Sequence, residues 1–152
     1  MRLRVAIGAI AGAGALVTGY LTLVHFTGAR VVCPTSGCET VQNSRYAEMF
    51  GVPVALLGLL AFLAILATAI STHPYAPIAG AALAVTAFVF SAYLLLVQLF
   101  AIHALCTWCV TTDVATTILV PLTWMRATSW GPGAAPAARS DRGSRKALRP
   151  SR

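Results

Sequence analysis

Two stretches almost empty of charge dominate this chain. No Asp, Glu, Lys or Arg falls among the 25 positions between Arg4 and Arg30, and only Asp113 interrupts the 77 positions between Glu48 and Arg126. About 20 apolar residues cross the roughly 30 Å of bilayer hydrocarbon, at about 1.5 Å of rise per helical residue. The first stretch therefore predicts one spanning helix and the second has room for three. With 58% hydrophobic and 10% charged residues among 152, the chain is too apolar for an ordinary soluble domain. The expected fold is an all-α integral membrane protein, a bundle of four transmembrane helices.

Proline, glycine and polar residues mark the breaks. Pro53 opens a segment that ends near Ser71, THPYAP makes a tight turn, a third segment covers 78–102, and HALC leads into a fourth that ends near Met125. Pro121 is expected to kink that last helix by removing a backbone donor. Arg2 and Arg4 precede the first helix, and Arg126, Arg139, Arg142, Arg145, Lys146, Arg149 and Arg152 follow the last. Both termini are therefore expected on the cytoplasmic side. The loop over 28–52 and the link before the fourth helix then face outward, with all four cysteines on that face. MRLR with its apolar run resembles an export signal, but the run is longer than the usual signal core and is read as an uncleaved span. The membrane domain is assigned to 1–126. The tail over 127–152 is expected to be disordered and basic, and it supplies most of the net charge of +7. Such a segment beside a helix end is a topology signal that touches anionic membrane lipid; no nucleic acid partner is assigned.

The cysteines form two close sets, Cys33 with Cys38 in the outer loop and Cys106 with Cys109 at the fourth helix. An outward, oxidising compartment is where disulfides persist. Three readings stand at this point: permanent structural disulfides, a four-thiolate zinc site, or two dithiols that exchange electrons. The relay reading has a physical basis, because a thiolate is favoured at a helix N-terminus and near cations, and Cys106 and Cys109 sit three residues apart in the first turn expected for the fourth helix. With no glycine fingerprint for a dinucleotide and no soluble domain, the economical electron acceptor is one dissolved in the lipid, a quinone.

Asp113 lies four residues after Cys109, so both project from one side of the helix, with the carboxyl roughly 6 Å deeper. An ionisable group inside a span is a functional candidate, here for hydrogen-bonding the quinone or moving its protons; the alternative is a structural carboxyl bonded to threonines across the bundle. TVQNSRYAEMFG, from Thr40, reads as a short amphipathic helix roofing the bundle, with Tyr46, Met49 and Phe50 on its apolar face. His25, His73 and His103 stand at helix ends and are assigned no chemistry. Trp108 is either an interface anchor or a packing surface for a flat ring.

Taken together, Cys33 and Pro34, Cys38, Asn43 and Ser44, Phe50 and Gly51, Pro53 and Gly58, and the run Cys106, Thr107, Trp108, Cys109 resemble the vitamin K epoxide reductase family in its bacterial form. The resemblance covers about 5–125. It implies a four-helix bundle around a quinone of the menaquinone, ubiquinone or vitamin K type, in a bacterial plasma membrane. By position, Cys33 and Cys38 become the loop pair that trades disulfides with a thioredoxin-like exported partner, and Cys106 and Cys109 the membrane pair, with Cys109 nearest the quinone. Ser44 resembles the serine that the family places near the ring, and Phe50 and Asp113 complete the expected quinone-facing set. Asp113 departs from the tyrosine that animal members carry after a similar VTT run, which favours plain quinone reduction over epoxide reduction. The implied function is a quinone-dependent thiol oxidoreductase supporting disulfide formation. The alternatives are an epoxide reductase proper or a non-catalytic membrane subunit with structural disulfides.

Overall fold

The charge-free stretches fold as four long helices, and a computed structural model describes them over residues 2–33, 37–49 and 51–129. Helix α1 spans Arg2–Thr27, α2 Gly37–Gln42, α3 Val54–Ile70, α4 Ala76–Val97 and α5 Thr107–Ser129. Residues Gln98–Ile102 extend α4 as one π-helical turn, in which N–H groups reach five residues back. Helices α1 and α3 run antiparallel, since Arg4 meets the end of α3 at Ala69 while Thr18 meets its start at Gly58. The short connections 71–75 and 103–106 make α3 with α4, and α4 with α5, antiparallel as well, and α5 closes the ring against α1.

Small residues allow that closeness. A methyl group added at Gly14 would overlap the Phe62 ring, and one at Gly80 would lie 2.7 Å from the Thr68 hydroxyl. Such contacts suit helices that associate in lipid, where packing rather than water expulsion holds them together. Ile7, Phe62, Ile65 and Leu119 form the buried core. Large apolar side chains face outward instead, with Leu16 78% exposed, Val89 61% and Phe100 74%. Threonine hydroxyls on α5 donate to carbonyls three or four residues back, as Thr123 does to Leu119 at 2.7 Å, so they add no unsatisfied polar group. Arg2–Thr27 and Ala76–Ile102 are long and apolar enough to cross a membrane; Val54–Ile70 is apolar but has 17 residues.

The end of the bundle that carries the N-terminus is closed by arginines. Arg4 donates to the carbonyls of Ala69 at 2.9 Å, Ile70 at 2.6 Å and Ser71 at 2.9 Å. Arg126 donates to Thr68 O at 2.9 Å. Together they satisfy the carbonyls that a helix C-terminus leaves open. At the opposite end the loop from α1 to α3 covers the bundle.

That loop differs from the expected amphipathic helix. Its helix is α2, ending at Gln42, and the chain then turns into a two-stranded ribbon, β1 Glu48–Met49 and β2 Val52–Pro53, paired Glu48 to Pro53 and Met49 to Val52. Tyr46 and Met49 therefore share no helical face, and Phe50 lies outside the described residues. Gly51, at φ 78°, makes the left-handed turn of the ribbon, which a non-glycine residue rarely adopts. Helix α5 begins at Thr107, so Cys106 precedes it, and it continues through Pro121 past Met125 to Ser129.

Candidate redox site

All four cysteines lie at the loop end of the bundle. Cys33 and Cys38 are bridged, with Cα atoms 6.3 Å apart. The approach to Cys33 is fixed from both sides: Val32 N–H donates to the Tyr20 hydroxyl at 3.0 Å, and Val32 O accepts from Trp108 Nε1 at 2.9 Å. The Tyr20 and Trp108 rings pack with centroids 5.9 Å apart. Trp108 is thus a clamp on the loop. Its half-exposed indole spends its one donor on that backbone carbonyl.

Cys38 sits in α2 and has 0% exposure, as does Cys106. Gly37, just before Cys38, lies against the backbone of Leu105, just before Cys106, so closely that any Cβ would collide with the Leu105 carbonyl oxygen. Glycine is required here by contact rather than by φ. The segments carrying the inner sulfur of each pair are thereby pressed together.

Cys106 is the N-cap of α5. Its carbonyl accepts the Val110 N–H at 3.0 Å, the first bond of the helix, and its Sγ receives the Cys109 N–H at 3.4 Å. Serine or aspartate oxygens usually fill this place. Hydrogen bonding from the Cys109 thiol lowers the Cys106 thiol to about 7, against the opposing effect of burial, and the N–H groups of Cys109 and Trp108 add to the lowering. Cys106 and Cys109 are both free thiols.

A cavity of about 140 Å³ opens between the helices beneath the loop, far above the ~10–15 Å³ that one water occupies on this measure. Cys109, Thr112 and Asp113 of α5 line it, with Phe90 and Ser91 of α4, Phe62 of α3, and Ser44 and Tyr46 of the loop. Ser91 Oγ donates to Asp113 Oδ1, while Asp113 Oδ2 is buried with no partner among the described residues. A buried carboxyl oxygen without a partner, on a residue that lines an apolar chamber, is a polar group in want of a partner.

The predicted residues divide accordingly. Cys109, Asp113 and Ser44 line the cavity; Cys106 is not among its lining residues. Ser44 spends its hydroxyl on Val41 O at 2.8 Å. The bond to Asp113 comes from a serine on α4 rather than from a threonine. With two sulfurs joined to each other, the four cysteines do not form a four-thiolate zinc site. His25 pairs with Glu48 at 3.3 Å, tying α1 to the ribbon. Sequence reading missed Tyr20, Ser91 and Gln98. Ser91 and Gln98 had a signal: a serine and a glutamine inside otherwise apolar helix, where polar side chains are retained for a partner.

A bridged pair and a free pair of cysteines stand together at one end of an apolar helical bundle. The model of the vitamin K epoxide reductase family matches residues 5–124, and the chain belongs to that family. Over 49 residues it is 43% identical to a thiol-disulfide oxidoreductase, LTO1, of Arabidopsis thaliana. That match covers 31% of this chain and 13% of the relative, so the chain corresponds to a small part of that protein's length.

Proposed function

We propose that this protein is a four-span oxidoreductase of a bacterial plasma membrane that takes two electrons from an exported thioredoxin-like protein and delivers them to a quinone, supporting disulfide formation outside the cytoplasm. The cysteine end then faces outward and the arginine-closed end faces the cytoplasm, in keeping with the positive charges at both termini. The observation that carries the reading is the cavity: Cys109 and Asp113, whose buried Oδ2 has no partner among the described residues, line one apolar chamber one helical turn apart on α5.

A thiolate of the reduced partner attacks Cys33, the less buried sulfur of the loop bridge, and releases Cys38. The partner's second thiol resolves the mixed disulfide and frees Cys33. Cys38 then attacks Cys106 of the oxidised helix pair and displaces Cys109 as a thiolate. Cys33 attacks Cys38, restoring the loop bridge and releasing Cys106 as a thiolate. Two electrons now reside on Cys106 and Cys109 as a dithiol. A bound quinone supplies the two-electron, two-proton acceptor chemistry. Asp113 holds or passes a proton at Oδ2, with Ser91 fixing the carboxyl by its bond to Oδ1. The helix pair closes again as a disulfide.

Membranes containing the protein test this directly. With quinone available, alkylation gel shifts should find the helix pair oxidised, and quinone depletion should leave it as a dithiol. Both pairs remaining oxidised under depletion would instead favour a non-catalytic subunit with permanent bridges.

A further inference from the structure

The link 103–106, which joins the π-turn to α5, is gathered onto one residue. The backbone carbonyl of Gln98 accepts the N–H of His103 and, at 3.2 Å, that of Ala104. The side-chain Oε1 of the same Gln98 accepts the N–H of Cys106 at 2.9 Å. Gln98 is itself 3% exposed, so these bonds lie away from water, where an amide left without a partner is not solvated. His103 adopts φ 54°, a left-handed conformation that a non-glycine side chain keeps only where its surroundings impose it.

The arrangement completes a helix cap in an unusual way. At many helix starts the N-cap residue's own N–H is satisfied by a Glu or Gln three positions later, reaching back. Three positions after Cys106 stands Cys109, whose side chain is a thiol. The acceptor is supplied instead by the end of α4, through the π-turn. Cys106 is consequently held by its neighbours on both sides, its N–H by Gln98 and its carbonyl and sulfur by the first turn of α5. Across from it, Gly37 presses on Leu105.

We propose that Gln98 is a positioning residue for sulfur exchange between the loop and the helix, holding Cys106 at the N-cap of α5 where the segment carrying Cys38 reaches it. This rests on the relay reading above. In the exchange, the Cys38 thiolate forms a bond to Cys106 Sγ as the Cys106–Cys109 bond breaks, and the electron pair leaves on Cys109. Gln98 takes no part in these bonds. It sets the place and angle at which one sulfur meets the other, where a displacement of about 1 Å can cost up to 10²-fold in rate.

The test uses the full chain carrying Cys33→Ala and Cys109→Ala, which leaves Cys38 and Cys106 as its thiols. After reduction, diamide accepts the two electrons and two protons of disulfide formation, and the Cys38–Cys106 cross-link is followed by gel shift. Gln98→Leu, which lacks the acceptor, should slow cross-linking roughly tenfold or more, whereas Gln98→Glu, which keeps Oε1, should stay within about threefold of the parent. As a folding control, closure of the Cys33–Cys38 bridge in a chain lacking the helix pair should be unchanged by Gln98→Leu. An unaltered cross-linking rate in Gln98→Leu, equal slowing by both substitutions, or equal slowing of loop closure would each overturn the proposal. No quinone is needed, so Gln98-dependent cross-linking in a chain inert toward quinones supports this positioning role while removing the proposed acceptor. A parent chain that never cross-links removes both the exchange and the role of Gln98 in it.

Discussion

Ser91 on α4 donates a hydrogen bond to Oδ1 of Asp113 on α5, while the other carboxyl oxygen, Oδ2, is buried without a partner among the described residues. Asp113→Asn preserves the shape and an acceptor for Ser91 but removes the carboxyl that can take up and release a proton. Quinone reduction should fall on the order of 10²-fold in kcat, with little change in thermal unfolding. Steady-state assays in detergent check it, and unchanged kcat would remove Asp113 from proton handling.

The N-cap thiol gives a pH signature. Cys106 ionises at about 7, below the ~8.5 of an ordinary cysteine. Below neutrality Cys106 is a thiol and a poor nucleophile; above it the thiolate population is nearly complete and further alkali adds little. Ultraviolet thiolate absorbance of the chain with its helix pair reduced, less that of Cys106→Ser, should therefore rise with a midpoint near neutrality. A midpoint above about 8 would contradict this.

Trp108→Phe keeps an aromatic surface for Tyr20 but loses the bond to Val32 O. Removing one such bond costs about 1 kcal/mol, or roughly fivefold in the population of the clamped loop. Turnover driven by a thioredoxin-like protein should drop by about that factor, while quinone reduction driven by a small dithiol should hold within roughly twofold. Comparing the two donors in one assay separates a loop effect from a cavity effect.

Gly14→Leu should destabilise the bundle by roughly 1–3 kcal/mol, since the added side chain enters the space of the Phe62 ring. Adding Phe62→Ala should recover part of the loss, giving a non-additive double-mutant cycle in denaturant titrations. Additive losses would show that the two helices do not meet as described.

The bundle was legible because lipid imposes a simple rule on sequence. Charge vanishes over the helices, and Pro53 and THPYAP mark their ends close to where α3 and α4 begin and stop. The cysteine spacing and Asp113 stood out for the same reason, as reactive groups in an inert background. The ribbon at Glu48–Met49 and Val52–Pro53 did not, because Tyr46 and Met49 happen to keep helical spacing while Gly51 reverses the chain between two-residue strands. The π-turn escaped too. Gln98 is polar within an apolar helix, but nothing local announces the turn it makes, since its bonds reach forward to a link whose path is set by packing. Trp108 was placed at the right end of the bundle but given an undecided role, because its partner, Val32, lies 76 residues away.

Enclosure of Cys38 and Cys106 has a kinetic consequence. Sulfurs with 0% of their residue surface open to solvent offer no landing point for the small dissolved thiols that make up a redox buffer. In the proposed relay, current between them travels as through an insulated wire, with its open ends at the half-buried Cys33 and Cys109. The surroundings are thereby kept from shorting the circuit.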